Sequence, residues 1–185
     1  DLDTISIDFN NGAVATSSTR DVTAQAVSTA TLTLSETDTF DMGSVVVGST
    51  TNHIFVLSNT GGTQATSIAE TGLALPFRFT GGTFPGTGGN CGVTLAPSTA
   101  CNLDIEFAPS ATGNPGDTIN ISYNNGVTTQ NATRAIDGTG IGPADLTITD
   151  GPTYNYGVHL NGTFVDHTFT INNAGGATAN SITGS

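Results

Sequence analysis

The sequence predicts an all-β protein built from immunoglobulin-like β-sandwiches, and three observations lead to this prediction. Thr is the commonest of the 185 residues with 34 copies, and Gly follows with 24. Thr favours strands and Gly favours turns. Apolar residues alternate with polar ones in several short runs, whereas no run has the apolar spacing of a helix. A long internal repeat, finally, has the length of one sandwich domain.

The repeat has a period of 114 residues. Residues 3–71 align with residues 117–185 without a gap, and roughly a third of the aligned positions are identical, which is well above chance for so long a span. A period of this length is too long for a solenoid unit and fits one sandwich domain.

The period divides the chain into three parts. Residues 1–29 are expected to be the last strands of one immunoglobulin-like domain. Residues 30–143 are expected to form a complete domain, and residues 144–185 the opening strands of a third. The connectors between these parts are only a few residues long, and Pro143 stiffens one of them. We therefore expect this sequence to be one part of a semi-rigid tandem array of domains.

About seven strands are predicted in the complete copy, which is typical of a Greek-key immunoglobulin-like sandwich. They cover residues 30–35, 52–58, 66–69, 77–80, 100–107, 117–123 and 128–137. In the last pair Ile119, Ile121 and Tyr123 alternate on one face. Asn125-Gly126 is the preferred pair for a type I′ turn, so these two strands are predicted to form a tight hairpin.

The charge balance excludes two classes of partner. Fifteen acidic residues stand against three basic ones, which gives a net charge of −12. Such a chain repels phosphate backbones and anionic lipid, so nucleic-acid and membrane-surface binding are not expected. No apolar run is long enough to span a bilayer, so direct membrane insertion is not expected either.

Cys91 and Cys101 are the only cysteines, and they are predicted to form a disulfide. Two thiols without a nearby pair of histidines make a poor zinc site, and a redox role is the alternative reading. A structural disulfide implies an oxidising compartment, so the protein is expected to be extracellular or at the cell surface.

The strand that follows Cys101 shows the clearest alternation in the chain. Leu103, Ile105 and Phe107 share the face of Cys101. The opposite face is polar and is predicted to be solvated; it carries Asn102, Asp104 and Glu106. Two acids on one strand face also occur in glycosidases, but a wet strand face carries acids routinely. No catalytic residue, cofactor or metal ligand is therefore predicted.

Two kinds of residue recur between the copies at strand positions. His53 and His167 are matched, and each is predicted to be a packed histidine at a sheet border and not a metal ligand. Arg20 and Arg134 are matched too, and each stem is predicted to pack over a hairpin aromatic with its charged head at the rim. Calcium at the connectors remains an open alternative, with five candidate acids: Glu36, Asp38, Asp41, Asp145 and Asp150.

A second candidate site is the Gly-rich loop 80–90. Phe84 offers an aromatic surface there, and Arg78 lies on the strand that precedes the loop. Such a platform would suit a carbohydrate-binding module attached to a secreted enzyme, which is the alternative function.

Several short motifs resemble a known family. They are Phe40-x-x-Gly43-x-Val45-x-Val47-Gly48, Phe55-x-Leu57-x-Asn59-x-Gly61, Cys91-x-x-x-Leu95-x-Pro97-x-x-x-Cys101 and Phe107-x-Pro109. These motifs are similar to those of bacterial immunoglobulin-like repeats of the ASPM/SPD-2/Hydin type, some of which are called choice-of-anchor D domains. The resemblance implies large secreted or surface-anchored repeat proteins with structural or adhesive roles and no common catalytic residues.

Together these observations predict a non-enzymatic structural module of an extracellular bacterial protein, serving as stalk, adhesin or filament subunit. Its expected partners are neighbouring repeats of the same protein. Exposed strands at both ends also suggest a homopolymer in which strands pair between chains. The alternative is that residues beyond this sequence complete the two partial domains.

Overall fold

The computed structural model describes residues 2–184, and every regular element in that range is a strand. Twelve strands follow one another along the chain: β1 Leu2–Asn10, β2 Ala15–Thr23, β3 Leu32–Leu34, β4 Phe40–Val46, β5 Thr51–Asn59, β6 Thr66–Glu70, β7 Phe77–Phe79, β8 Ala100–Phe107, β9 Gly116–Asn124, β10 Thr129–Ile141, β11 Leu146–Ile148 and β12 Ile171–Asn173. No helix among these residues has the length and apolar character that a membrane crossing needs.

Strands β3 to β10 form a sandwich of two four-stranded sheets. One sheet has the order β4-β10-β9-β6 and the other the order β3-β5-β8-β7. The chain changes sheet at each connection from β3 to β7 and again between β8 and β9. All pairs are antiparallel except β4 and β10, which run parallel. The predicted all-β immunoglobulin-like sandwich is confirmed.

The core lies between the two sheets and follows the predicted alternation. Leu103, Ile105 and Phe107 of β8 are fully buried, and so are Ile119 and Ile121 of β9 on the facing sheet. Alternate residues point to opposite faces of a strand, so one apolar face per strand suffices to fill the space between the sheets. The buried positions match the period-two sequence pattern because alternate side chains of a strand point into and away from the core.

Strand β4 was not among the predicted strands. Met42 and Val45 are both buried although they are three positions apart, whereas a regular strand buries every second residue. Gly43 between them has φ of 83°, and the pairing of β4 with β10 shifts register there. A bulge of this kind inserts one residue and breaks the period of two. The apolar pattern of β4 therefore does not look like that of a strand.

The hairpin between β9 and β10 is wider than the predicted type I′ turn. Asn124 pairs with Thr129, so four residues and not two connect the strands. Asn125 N donates to Thr128 O, and the Asn125 side-chain oxygen accepts hydrogen bonds from the amides of Val127 and Thr128. The asparagine side chain accepts hydrogen bonds that a backbone carbonyl accepts in a tighter turn. The predicted hairpin is present, but the predicted two-residue type I′ turn is wrong.

Strands β1 and β2 form a separate two-stranded hairpin, and β11 pairs only with β12. Every residue of these four strands is exposed. Their backbone nevertheless repeats that of the sandwich at the period of 114. The φ angles are 95° at Gly12 and 98° at Gly126, and 86° at Gly48 and 87° at Gly162.

Candidate functional site

The most densely bonded polar side chain of the sandwich is Asn59, at the end of β5 beside the connector from residues 24–29. It is 1% exposed. Its Oδ1 accepts from the amides of Thr31 at 3.2 Å and Gly61 at 3.0 Å. Its Nδ2 donates to the carbonyls of Thr63 at 2.9 Å and Leu95 at 3.0 Å. One side chain thus fixes Thr31, just after the connector, to two loops, and we call this arrangement the asparagine clamp.

The same clamp occurs at Asn173, which follows Asn59 by one period. Its Oδ1 accepts from the amides of Asp145 and Gly175, each at 3.0 Å. Its Nδ2 donates to the carbonyl of Ala177 at 2.8 Å. The acceptor and donor positions are the counterparts of those at Asn59, although Asn173 is exposed. The same chemistry therefore fixes the chain just after each of the two connectors.

A glycine pair after each asparagine lets the connector approach closely. A Cβ at Gly61 would overlap the carbonyl oxygen of Thr29 and would lie 2.7 Å from Cα of Ala30. A Cβ at Gly175 would overlap the carbonyl oxygen of Pro143 in the same way. Backbone atoms cannot move aside as a flexible side chain can, so only glycine fits at these two positions.

The signal for the clamp was present in the sequence as the motif Asn-x-Gly-Gly, which recurs at both positions. The motif belongs to the repeat, but its residues alone predict no role for it. The partners of Asn59 come from segments up to 36 residues away. The residue pattern within one strand gives no information on hydrogen-bond partners that lie so far away in the sequence.

The predicted disulfide is present, since Cys91 and Cys101 are bonded with their Cα atoms 4.9 Å apart. Both residues are buried at the edge of the core. The bond ties the end of the loop 80–90 to the first residues of β8. Within residues 2–184 there is no free cysteine.

Loss of the disulfide should destabilise the sandwich moderately. We expect that Cys91→Ala combined with Cys101→Ala lowers the free energy of unfolding by about 2 kcal/mol, because a closed loop of this size restricts the unfolded chain. Urea unfolding of the variant and of the parent protein would measure the difference. Added reductant should shift the midpoint of the parent protein and leave that of the double variant unchanged.

The prediction that Asp104 faces solvent is wrong. Asp104 is 3% exposed because the loop 80–90 folds back over the polar face of β8. Its Oδ1 accepts from Asn52 Nδ2 at 2.9 Å and its Oδ2 from the amide of Gly88 at 3.0 Å. Asp104 N in turn donates to the carbonyl of Pro85 at 2.8 Å. The carboxylate thus holds the loop in place.

Glu106 is also covered, at 8% exposed, and its partner is Arg78 on the neighbouring strand β7. Arg78 Nη2 donates to Oε1 at 2.9 Å and Nε to Oε2 at 3.3 Å. This hydrogen-bonded pairing and the charge of Glu106 raise the pKa of the guanidinium above its ordinary value. Both acids of the predicted wet face are therefore in structural pairs, which accounts for their position without glycosidase chemistry.

The two residues proposed for a binding loop lie on different surfaces. Arg78 lines a cavity of about 590 Å³ between Leu75–Pro76 and the segment Ala108–Pro115. Phe84 does not line that cavity; its ring is half-buried and packs edge-on against Phe79 at 5.4 Å. The structure does not bring them together, and carbohydrate binding at the loop 80–90 stays a prediction.

His53 and His167 occupy equivalent aromatic stacks. His53 stacks on Phe40 with ring centroids 4.0 Å apart, and His167 stacks on Tyr154 at 3.8 Å. Each histidine also contacts a carboxylate: Nε2 of His53 lies 3.2 Å from Glu36 Oε1. Nε2 of His167 lies 2.8 Å from Asp150 Oδ2. Each histidine thus packs on an aromatic ring and contacts one carboxylate, which agrees with the prediction of packed histidines at a sheet border.

The second of these contacts should be visible in a titration. The hydrogen bond to His167 holds the pKa of Asp150 below its ordinary value. Because the folded-state pKa is lowered, the contact is fully present above the ordinary carboxyl pKa and is lost as the pH falls through the lowered value. We expect that His167→Phe, which keeps a ring in the stack, raises the Asp150 midpoint in a carboxyl NMR titration. An unchanged midpoint would show that the imidazole is not its cause.

Within the described residues no three His, Cys, Asp or Glu side chains converge on one point. Glu36 and Asp150, two of the five acids considered for calcium, instead contact histidines. Arg134 donates to the carbonyls of Leu34, Ser35 and Asp38, so its head group binds backbone at the rim.

Comparison with protein families shows to which family the chain belongs. The family model of the HYDIN/CFA65/VesB-like, Ig-like domain matches residues 30–139, which is more than half of the chain. The chain belongs to this family. The match covers strands β3 to β9, most of β10, both cysteines and the clamp at Asn59. The immunoglobulin-like affiliation implied by the sequence motifs is thereby confirmed. Comparison with curated proteins gave no match.

Similar solved structures have low sequence identity. The VesB protease of Vibrio cholerae is 14% identical over 60% of this chain and 32% of its own, with a TM-score of 0.46. The ASH/PapD-like domain 7 of human CEP192 is 13% identical over 66% of this chain and 92% of its own, with a TM-score of 0.44. A protein of unknown function from Porphyromonas gingivalis W83 is 13% identical over 75% and 64%, with a TM-score of 0.46. The chain thus spans about a third of the VesB chain.

Proposed function

We propose that this chain is a non-catalytic structural repeat segment of an extracellular bacterial surface protein of the ASPM/SPD-2/Hydin type, used as stalk, adhesin or filament subunit. The observation that carries the proposal is the asparagine clamp, which recurs at Asn59 and Asn173 and bonds the amide of Thr31 or Asp145, just after each connector. A clamp that fixes the chain directly after each connector serves a protein whose repeats must keep a constant orientation.

The repeated backbone supports the proposed division into residues 1–29, 30–143 and 144–185. Glu36 and its counterpart Asp150 both adopt positive φ, at 65° and 70°, and both contact a histidine. Positive φ is uncommon for residues other than glycine, so agreement at matched positions points to one fold encoded more than once.

Two properties support an extracellular location. The Cys91–Cys101 bond is a buried structural disulfide, and such bonds persist in oxidising compartments. The net charge of −12 keeps an exposed surface soluble.

The proposal can be tested by small-angle scattering from proteins that contain increasing numbers of copies of residues 30–143 joined in sequence. We expect the maximum dimension to rise linearly with the number of copies, as it does for a stiff string of domains. The matched control replaces Asn59 by Ala in every copy, and it should give a shorter and more flexible particle. A compact globule for the parent series would contradict the proposal.

A further inference from the structure

The chain enters and leaves the sandwich at opposite ends. Ala30, the first residue after the connector, donates its amide to Asn125 O at 3.0 Å. Asn125 lies in the turn that leads into β10, so the chain enters beside the start of that strand. It leaves at Ile141, where β10 ends. The 13 residues of β10 extend over about 40 Å, so a pull on the two connectors acts along the strands.

The strands next to the entry and the exit are paired with each other. Strand β4, the second after the entry, runs parallel to β10, the last before the exit. A pull on the connectors therefore moves these two strands in opposite directions along their common axis. The hydrogen bonds between paired strands run across that axis, so they are loaded together and none opens first from one end. Strands β3, β4 and β10, with the link 35–39 between β3 and β4, form what we call the load path.

The side chain of Arg134 joins the two parts that a pull would separate. Arg134 lies in the middle of β10, and its guanidinium reaches the end of β3 and the link to β4. It donates to the carbonyls of Leu34, Ser35 and Asp38 at 3.0–3.1 Å. Hydrogen bonds from a charged donor are about twice as strong as neutral ones. Three such bonds thus tie the exit strand to the segment that follows the entry.

Both ends of the load path are fixed to the body of the sandwich. At the entry, Thr31 N donates to Asn59 Oδ1 at 3.2 Å, and Thr31 O accepts from Thr60 N at 2.8 Å. At the exit, Gly140 and Gly113 exchange two backbone hydrogen bonds of 2.8 and 3.0 Å. A pull at either connector therefore meets fixed backbone before it reaches the paired strands.

The disulfide lies outside the load path. Cys101 belongs to β8, which lies between β5 and β7 in its sheet, and Cys91 belongs to the loop before it. Neither cysteine is in β3, β4 or β10, so the bond carries no load until those strands have separated. Resistance to a pull must therefore come from the hydrogen bonds and packing of the load path.

We infer that the sandwich is a load-bearing unit, which resists tension between its connectors through shear of β4 against β10 and through the three hydrogen bonds of Arg134. This inference rests on the proposed function, because joined repeats transmit a pull from one connector to the next. Forced unfolding depends on the contacts that must break before the strands separate, and not on the total stability of the fold. Direction of pull and site of substitution therefore both distinguish load bearing from stability.

The direction of pull is tested by stretching the 185-residue protein in optical tweezers, with DNA handles attached by thioether bonds to two introduced cysteines at exposed positions. Gln25→Cys with Pro143→Cys pulls from connector to connector. Ser49→Cys with Pro143→Cys pulls apart the neighbouring ends of β4 and β10, which then open one bond at a time. We expect the connector-to-connector pull to need at least about twofold more force at the same loading rate. Equal forces in the two directions would overturn the inference.

The role of Arg134 is tested by substitution in the connector-to-connector experiment. Arg134→Met keeps an apolar stem and removes the three hydrogen bonds, so the unfolding rate at constant force should rise by roughly 100-fold. Arg134→Lys, which keeps the charge but not the guanidinium fork, should give a smaller rise. An unchanged rate for Arg134→Met would show that Arg134 carries no load.

The matched control breaks an arginine pair outside the load path. Arg78→Met with Glu106→Gln removes the contact between β7 and β8 without leaving a buried charge unpaired. It should lower the urea midpoint and change the unfolding rate under force by less than about threefold, because β7 and β8 separate after β4 and β10. Equal acceleration by this variant and by Arg134→Met would overturn the assignment of the load path.

Reduction of the disulfide provides an internal check on the same molecules. The extension released on unfolding should grow by about 30 Å, since ten residue spacings of about 3.5 Å replace a Cα–Cα distance of 4.9 Å. The unfolding force should stay the same, because the bond lies outside the load path. A lower force after reduction would place the bond within the path and contradict the inference.

The outcomes are separable from those of the scattering test. Joined copies that scatter as a stiff rod, together with equal forces in the two pulling directions, would overturn load bearing and leave the proposed function standing. A compact globule in scattering, together with a direction-dependent force, would overturn the proposed function and leave the shear resistance of the sandwich standing.

Discussion

Asn59→Ala should destabilise the sandwich by about 4 kcal/mol, the largest effect that we expect from a single substitution of a polar residue. The alanine removes four hydrogen bonds at once and leaves two amides and the Thr63 carbonyl without their partner, while the Leu95 carbonyl still accepts from the amide of Ala65. An unsatisfied buried polar group costs about 1–3 kcal/mol. Water can reach the partially exposed side of the clamp, and for this reason the total is smaller than four full penalties.

The measurement is equilibrium unfolding in urea, followed by intrinsic tyrosine fluorescence and by far-UV circular dichroism. The midpoint should fall while the slope stays constant, because the surface exposed on unfolding is unchanged. Asn173→Ala is the matched control: it removes the same chemistry from an exposed position and should cost less than about 1 kcal/mol. Equal losses for both variants would contradict the role of burial in this prediction.

The fold could be predicted from the sequence wherever a strand has one wet and one dry face. Ile119, Ile121 and Tyr123 show this, since alternation along β9 is a direct consequence of the space between two sheets. Strand β4 could not be predicted because the bulge at Gly43 interrupts the alternation. The hairpin turn could be located but not classified, because the side chain of Asn125 closes a wider loop than the backbone would.

The polar face of β8 shows a different limit. Asp104 and Glu106 alternate with core residues as solvated acids do, yet both are buried. Their cover consists of a loop from earlier in the chain and of Arg78 from the neighbouring strand. Period-two alternation distinguishes the core face from the other face. It carries no information on whether a distant segment covers that other face.

The asparagine clamp depends both on strand alternation and on partners from distant segments. Asn59 ends a strand whose alternation places its side chain inward, where it is only 1% exposed. Its side chain instead bonds backbone groups of Thr31, just after the connector, and of two loops. The buried side-chain amide of Asn59 therefore fixes the path of the chain into the sandwich. The orientation of the preceding residues relative to the sandwich depends on that path.

Gly61→Ala should disrupt this path directly. The new methyl group would overlap the carbonyl oxygen of Thr29 and would lie 2.7 Å from Thr31 N, so the connector has to move away from the loop. Because every clashing atom belongs to the backbone, we expect a cost of at least about 3 kcal/mol, at the upper end of the range for overpacking.

The displaced connector should also lose the bond from Gly62 N to Ser28 Oγ, which is 2.8 Å in the parent protein. Amide hydrogen exchange would therefore accelerate at Gly62 and Thr31 before it changes in the centre of β8. Gly92→Ala is the control, because nothing lies within 4 Å of the added methyl group. If Gly61→Ala left both the unfolding midpoint and the exchange rates as they are, the connector would be mobile and the clamp could not set the orientation of neighbouring repeats.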